Sequence, residues 1–372
     1  MLKIIIAFIV FVTILFLYLH VQFHLKKSED VEMYEVDWPS KEKLEKVCDL
    51  RQPLLFDFDC KNIMETTNTN AILSHHPSTT IRVRNTNKTD NNADLYMPLQ
   101  LGIAAKLFKE DKSGSYFSEN NSDLLEETGL VKVFKNNDGI LQPYMVFNST
   151  YDIMLGSANS YTPFRYELGY RNYLLLTQGS AQIKMAPPNN IKHLYPNNDY
   201  ENMEFSSPIN PWNPQEKYAA DFNKIKCIDF TLLPGKTLYI PAYWWYSVKF
   251  NTDSTSICSL KYRTYMNSVT IIPQLCLHLL QIQNIKRKIA KKFVGDSLVV
   301  QATQQNDITG ENNKTEETPE NISSGELIID PSNNTDNNTD NNIDNTDNDV
   351  GTACDINGEK DPEENNKPKS DI

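Results

Sequence analysis

One stretch of this chain constrains its fold more than any other. Cys227-Ile-Asp-Phe-Thr-Leu alternates residue by residue, and beyond Pro234 and Gly235 comes Thr237-Leu-Tyr-Ile-Pro-Ala-Tyr-Trp-Trp-Tyr-Ser-Val. Runs of β-branched and aromatic residues split by a Pro-Gly turn form successive strands, so the middle of the chain is expected to be a β-sandwich or barrel. The rest of residues 35–266 suits that scaffold. Residues 51–58 read as a short buried strand led in by Pro53, residues 85–94 as a polar loop, and residues 99–106 and 121–127 as helical inserts. A helix is also expected over residues 40–47, with Ser40 as its N-cap and Glu42 in its first turn, where a carboxylate favours the helix dipole.

The two ends belong to different chemistry. Residues 4–23 carry no charge and are flanked by Lys3, Lys26 and Lys27; twenty residues at about 1.5 Å each match a hydrocarbon core of about 30 Å. A cleaved signal peptide would have a shorter apolar region ending in small residues, and residues 16–27 contain no Ala, Gly or Ser. A transmembrane anchor is therefore expected over residues 4–23, making the protein single-pass in a membrane. Lys3 and the terminal amine oppose Lys26 and Lys27, so the positive-inside rule leaves the orientation open. At the other end, residues 296–372 hold 19 acidic and 4 basic residues, against 29 acidic and 32 basic before them. The net charge of −12 thus describes the tail and gives no information about partners of the body. Rich in Asn, Asp, Thr and Glu, this tail cannot bury enough apolar surface to offset ordering entropy and is expected to be disordered.

Other signals are weaker. Six scattered cysteines with no CxxC pair speak against a zinc motif or a disulfide-dense scaffold. Seven Asn-x-Ser/Thr sequons, beginning at Asn87, Asn120, Asn148, Asn313, Asn321, Asn333 and Asn337, are acceptors only if the body is lumenal. Over residues 270–294, Ile271, Ile272, Leu275, Leu279, Ile282, Ile285, Ile289 and Phe293 recur at helical spacing, with Lys286, Arg287, Lys288, Lys291 and Lys292 on the later turns. This helix is expected to pack on the barrel, to serve a protein partner or homodimer, or to lay a basic face on anionic lipid. Basic clustering is confined to that segment, so no nucleic-acid partner is expected.

Several blocks, in order, resemble a known family: Thr162-Pro-Phe-Arg-Tyr-Glu, residues 174–179, Ala186-Pro-Pro, His193-Leu-Tyr-Pro, and Leu233-Pro-Gly through Tyr243-Trp-Trp-Tyr. They are similar to the cupin-like JmjC domains, above all the asparaginyl hydroxylase branch, with its Thr-Pro-x-His-x-Asp and Tyr-Trp-Trp-His segments. The Asn-rich composition also resembles cupin-like proteins of giant DNA viruses, which would put the chain in a virion or host membrane. The resemblance spans about residues 38–265. It implies a mainly β fold: a double-stranded β-helix, or jelly-roll barrel, with flanking helices. In the family, the lumen holds Fe(II) through two His and one carboxylate, beside 2-oxoglutarate, leaving open positions for oxygen.

Carried over by position, the first His is Arg165, the Asp is Glu167 and the second His is Tyr246. Arginine has no lone pair to offer a metal, and a phenol with an ordinary pKa near 10 replaces imidazole poorly. None of the six histidines is followed two residues later by Asp or Glu. The lysine by which relatives hold 2-oxoglutarate is also absent from residues 174–182, Lys184 being the nearest cation; Thr162 matches a family hydroxyl. Residues two apart on a strand share a face, so Arg165 and Glu167 are expected to point together into the barrel, with Glu167 and the Tyr246 hydroxyl partnering the guanidinium. Three functions remain open: an interaction or structural protein that has lost oxygenase activity and carries no cofactor; an oxygenase with altered ligands that keeps Fe(II) and 2-oxoglutarate; and a barrel whose pocket of Thr162, Arg165, Glu167 and Tyr246 takes a small anion or glycan.

Overall fold

A computed structural model of the chain describes residues 1–86 and 96–287. The expected disordered tail, most of the 85–94 loop, and Lys288, Lys291 and Lys292 lie outside these residues. The described body is mainly β, in two sheets. The larger has nine strands in the order Tyr34–Val36, Leu54–Asp57, Lys236–Ile240, Arg171–Gln178, Ser256–Thr264, Val146–Gly156, Tyr116–Ser118, Thr80–Asn85 and Met97–Gln100. The smaller has six, in the order Asn197–Asp199, Glu204–Ser207, Phe164–Tyr166, Trp245–Phe250, Ala181–Ala186 and Ile228–Leu232. Adjacent strands run antiparallel except Tyr34–Val36 on Leu54–Asp57. This is the jelly-roll architecture that the sequence blocks implied.

Alternation decides what each face buries. Met154, Leu174, Leu176, Leu238 and Ile257 of the large sheet meet Ile183, Met185, Val248 and Phe250 of the small one in a single cluster, which fills one end of the lumen. The opposite face of the large sheet presents Tyr173, Leu175, Tyr239 and Tyr262 to a helical layer that supplies Leu44, Ile63, Ile72 and Phe134. Each such side chain contributes about 1.5–3 kcal/mol when fully buried, so the scaffold stays rigid while the polar end of the lumen carries charge.

Local signals match closely in several places. The helix Lys41–Cys48 starts where expected, and the Ser40 hydroxyl accepts from the Lys43 amide at 3.3 Å. Gly235, at φ +84°, makes the turn between Ile228–Leu232 and Lys236–Ile240. The run after Thr237 differs, because it is two strands in two sheets. Pro241 has no amide to donate, Tyr243 adopts φ +67° with its N–H on the Glu167 carbonyl at 2.9 Å, and the chain crosses between sheets at this corner. The helix expected over residues 270–294 is Ile272–Arg287 within the described residues, and a separate short helix, Tyr265–Thr270, precedes it. At the N-terminus the apolar run forms one helix, Leu2–Leu25, long and apolar enough to cross a membrane, a test that a signal sequence also passes.

Candidate functional site

The polar end of the lumen opens into a cavity of about 420 Å³. Arg165 lies on the short strand Phe164–Tyr166, between Ser206 and Tyr246 of the neighbouring strands, and Glu167 follows directly. Both line the cavity, as period-two alternation predicts. Tyr246 stands beside them, its ring 5.8 Å from the Arg165 guanidinium carbon and its hydroxyl donating to Glu167 at 3.0 Å. Thr162 is elsewhere. Fully buried, it accepts the Val248 amide on its hydroxyl at 3.0 Å and the Ser247 hydroxyl on its carbonyl at 2.6 Å, which ties two strand ends together away from the cavity.

The expected pairing of Arg165 with Glu167 is corrected. Arg165 forms a bidentate pair with Glu119: Nη1 donates to Oε1 at 2.8 Å and Nη2 to the other oxygen. Glu167 takes Lys261 instead, with Nζ donating at 2.7 Å. Glu119 also accepts from the Tyr96 hydroxyl at 3.0 Å and lies 3.6 Å from Arg84, which is itself held by Glu204. Arg84, Arg165 and Lys261 thus face Glu119, Glu167 and Glu204. A buried charge is tolerated when it is paired and hydrogen-bonded, and this network supplies both conditions.

Glu119 reaches the lumen because the segment after strand Tyr116–Ser118 is pinned. Asp152 accepts the Asn120 and Asn121 amides at 2.8 and 2.6 Å, and Asn120 turns the chain at φ +59°, a conformation asparagine tolerates. Nothing in residues 116–119 marks the glutamate as a site residue; it carries no motif and lies 46 positions from its partner. Lys261 could have been suspected, since alternation along Ser256–Thr264 puts it on the same face as Arg263. Lys184, the nearest cation to the family's lysine position, points away, with Nζ on the Pro211 carbonyl at 3.2 Å and 3.3 Å from Asp229.

Electrostatics follow from this geometry. Burial would raise the Glu119 carboxyl, but Arg165, Arg84 and the Tyr96 hydroxyl together outweigh it and hold the group at about 2. Glu167 is likewise lowered against its burial by Lys261 and Arg165, while Lys261 is raised against its desolvation, chiefly by the charge and hydrogen bond of Glu167. Burial and the Glu167 charge push the Tyr246 phenol up to about 12, so it stays a neutral donor. Asp152 goes the other way. Desolvation raises it to about 6 despite its backbone donors.

These residues do not fit Fe(II). A facial triad needs three lone-pair donors on one face; Arg165 offers none, Tyr246 is protonated and committed to Glu167, and Glu167 is neutralised by Lys261. Among the described residues no three His, Cys, Asp or Glu side chains come together as a metal site. Two groups in the cavity remain uncommitted. Arg263 makes no ion pair or hydrogen bond among the described residues, and the buried Asn172 Oδ1 accepts nothing.

Comparison with known proteins agrees with the architecture. Over 98 residues the chain is 32% identical to bovine HSPB1-associated protein 1, covering 26% of this chain and 20% of that protein. Over 103 residues it is 30% identical to JmjC domain-containing protein D of Dictyostelium discoideum and to Jumonji C domain-containing protein 5 of Drosophila melanogaster, covering 28% of this chain and 23% and 25% of theirs. The chain therefore aligns with only about a quarter of these relatives' length or less. A family model described as a cupin-like domain matches residues 39–267, well over half of the chain and every strand of the two sheets except Tyr34–Val36. On its two facing sheets and that match, this chain belongs to the cupin-like domain family.

Proposed function

We propose that this protein is a cupin-like domain protein that has lost Fe(II)/2-oxoglutarate oxygenase activity and acts as an interaction or structural module, anchored in a membrane by Leu2–Leu25. The observation that carries the reading is the bidentate Arg165–Glu119 pair at the position where oxygenase relatives hold their first histidine. A guanidinium there excludes a divalent cation by charge and by lack of a lone pair. The bovine relative is named for an association with another protein, which suits an interaction role.

The test is metal and turnover analysis of the full chain in detergent. Fe(II) should bind no more tightly than to an Arg165→Met variant, and 2-oxoglutarate should not be consumed. Iron-dependent consumption of 2-oxoglutarate that is abolished by Glu167→Ala would overturn the reading and restore the altered-ligand oxygenase. A second reading, a barrel for a small anionic ligand or glycan, has one observation in its favour: Arg263 and Asn172 Oδ1 are uncommitted in the cavity. Arg165, first expected to bind that anion, is consumed by Glu119. Thermal-shift screening against dicarboxylates, sugars and phosphates tests it, since a ligand at about a hundred times its Kd stabilises by about 2.7 kcal/mol. The shift should vanish in Arg263→Gln.

A further inference from the structure

Ile272–Arg287 leaves several of its apolar residues on the outside. Its inner face packs on the body: Leu275 and the preceding Ile271 lie against Leu168 and Phe205, and His278 Nδ1 sits 2.6 Å from the Tyr200 carbonyl. Its outer face presents Ile272, Cys276, Leu279 and Leu280 to solvent, the two leucines 61% and 66% exposed. At 100° per residue these four positions form one stripe along the helix. On the preceding helix Tyr265 is 55% exposed; its ring meets Phe147 at 5.3 Å and its amide bonds the carbonyl of Met145, itself 72% exposed. Exposed apolar surface of this kind marks a contact with a partner or a membrane.

The position of the surface selects between them. Tyr265–Thr270, the hinge of the platform, lies against the N-terminal helix Leu2–Leu25. Only the end of that helix touches the body: His24 is buried with its ring 4.8 Å from Tyr170, and Lys27 lies over the Tyr243 ring at 4.4 Å. Every residue from Leu2 to Leu19 is exposed, a rod of about 27 Å at 1.5 Å per residue, close to the hydrocarbon thickness of about 30 Å. Only the short segment 26–33 joins the rod to strand Tyr34–Val36, and Lys27 within it is held on the body. If the rod crosses a bilayer, the body rests on its surface, and the chain beyond Leu280 adds Lys286, Arg287, Lys288, Lys291 and Lys292 in sequence.

We infer that Ile272–Arg287, with Tyr265, Met145 and Phe147, forms a platform that lies in the interfacial layer of an anionic bilayer beside the N-terminal helix. Leucines sunk at the acyl boundary, aromatic rings at headgroup level and cations on anionic lipid are the ordinary elements of such a contact. The inference rests on the membrane-anchor reading, and both can fail separately.

The test uses the full chain carrying Cys227→Ser and Cys354→Ser, labelled at the exposed Cys276 with an environment-sensitive fluorophore. It is reconstituted into phosphatidylcholine vesicles with and without phosphatidylserine. The label should shift to the blue and lose most of its emission to bromine-bearing acyl chains, more so with phosphatidylserine. Leu279→Glu with Leu280→Glu, two outward positions that leave the fold intact, should abolish the quenching. An unquenched label on a chain whose intact mass retains Leu2–Leu25 overturns the platform alone. A membrane fraction whose chain lacks those residues overturns the anchor and the platform together. An unquenched label with a dimer that Leu280→Glu dissolves would assign the surface to a second copy of the chain.

Discussion

Two arginines are buried in this molecule by different means. In the lumen, Arg165 faces a carboxylate fixed by its own network, and only its Nε lacks a partner. At the seam beneath the N-terminal helix, Arg51 is 2% exposed and has no carboxylate partner among the described residues; the Phe23 and Tyr170 rings hold its guanidinium at 5.2 and 4.6 Å, and Nε and Nη2 go without hydrogen bonds there. The lumenal cation is satisfied wholly from within the barrel. The seam cation depends on a ring contributed by the helix expected in the membrane. The lumen should therefore be stable whatever the helix does, while the seam should respond to it.

The largest effect should come from breaking the lumenal pair. Glu119→Gln removes the charge opposite Arg165 with little change of shape, and a buried pair deprived of one partner loses about 3–5 kcal/mol. Urea unfolding of the full chain in detergent would measure it. A loss below about 1 kcal/mol would mean that water or Glu167 takes over the guanidinium, and the contrast between the two arginines would disappear.

Acid sharpens the same comparison. Glu119 and Glu167 are lowered in the folded state, so their contribution is present above the ordinary glutamate range near 4.5 and is lost as pH falls toward 2. Asp152, raised to about 6, has the opposite sign. Between pH 6 and about 4 the folded chain binds its proton more tightly than the unfolded one, so its contribution grows as pH falls. Unfolding followed against pH should show a steep loss below pH 4.5 that Glu119→Gln flattens, and Asp152→Asn should remove a gain between pH 6 and 4. A Glu119→Gln profile parallel to the wild type would refute the assignment.

Smaller effects are expected at single donors and rings. Tyr246→Phe leaves Glu167 with Lys261 alone, and loss of a hydrogen bond to a charged group costs about 1.5–3 kcal/mol. Phe23→Leu keeps an apolar side chain but takes one of two rings from the buried Arg51 guanidinium, a cation–π contact worth up to about 2 kcal/mol when desolvated. Should Phe23→Leu destabilise the chain as much as Glu119→Gln, the helix would be part of the fold rather than an attachment to it.

Much of the scaffold was legible because its signals are local. Ser40 caps its helix through an amide three residues away, Pro234 and Gly235 make their turn, and the alternation around Arg165 and Glu167 puts both into the lumen. The crossing at Tyr243 was harder to read, since a run of aromatic residues has the same pattern whether it stays in one sheet or passes between two. The short helix Tyr265–Thr270, ahead of the C-terminal one, went unread because six residues are too few to show a period.

Taken alone, the sequence determined the strand-rich body, the apolar N-terminal helix, and the presence of a cation and a carboxylate two residues apart at Arg165 and Glu167. Only the tertiary structure decided how those charges pair. Periodicity fixes the face a side chain takes, but a buried ion pair joins residues as far apart as Glu119 and Arg165, or Glu167 and Lys261 across 94 positions. Which carboxylate meets which cation depends on strand order and on how Asp152 holds the turn at Asn120. Burial then makes the choice firm, because in a low-dielectric lumen a charge left without its partner costs far more than the same charge at the surface.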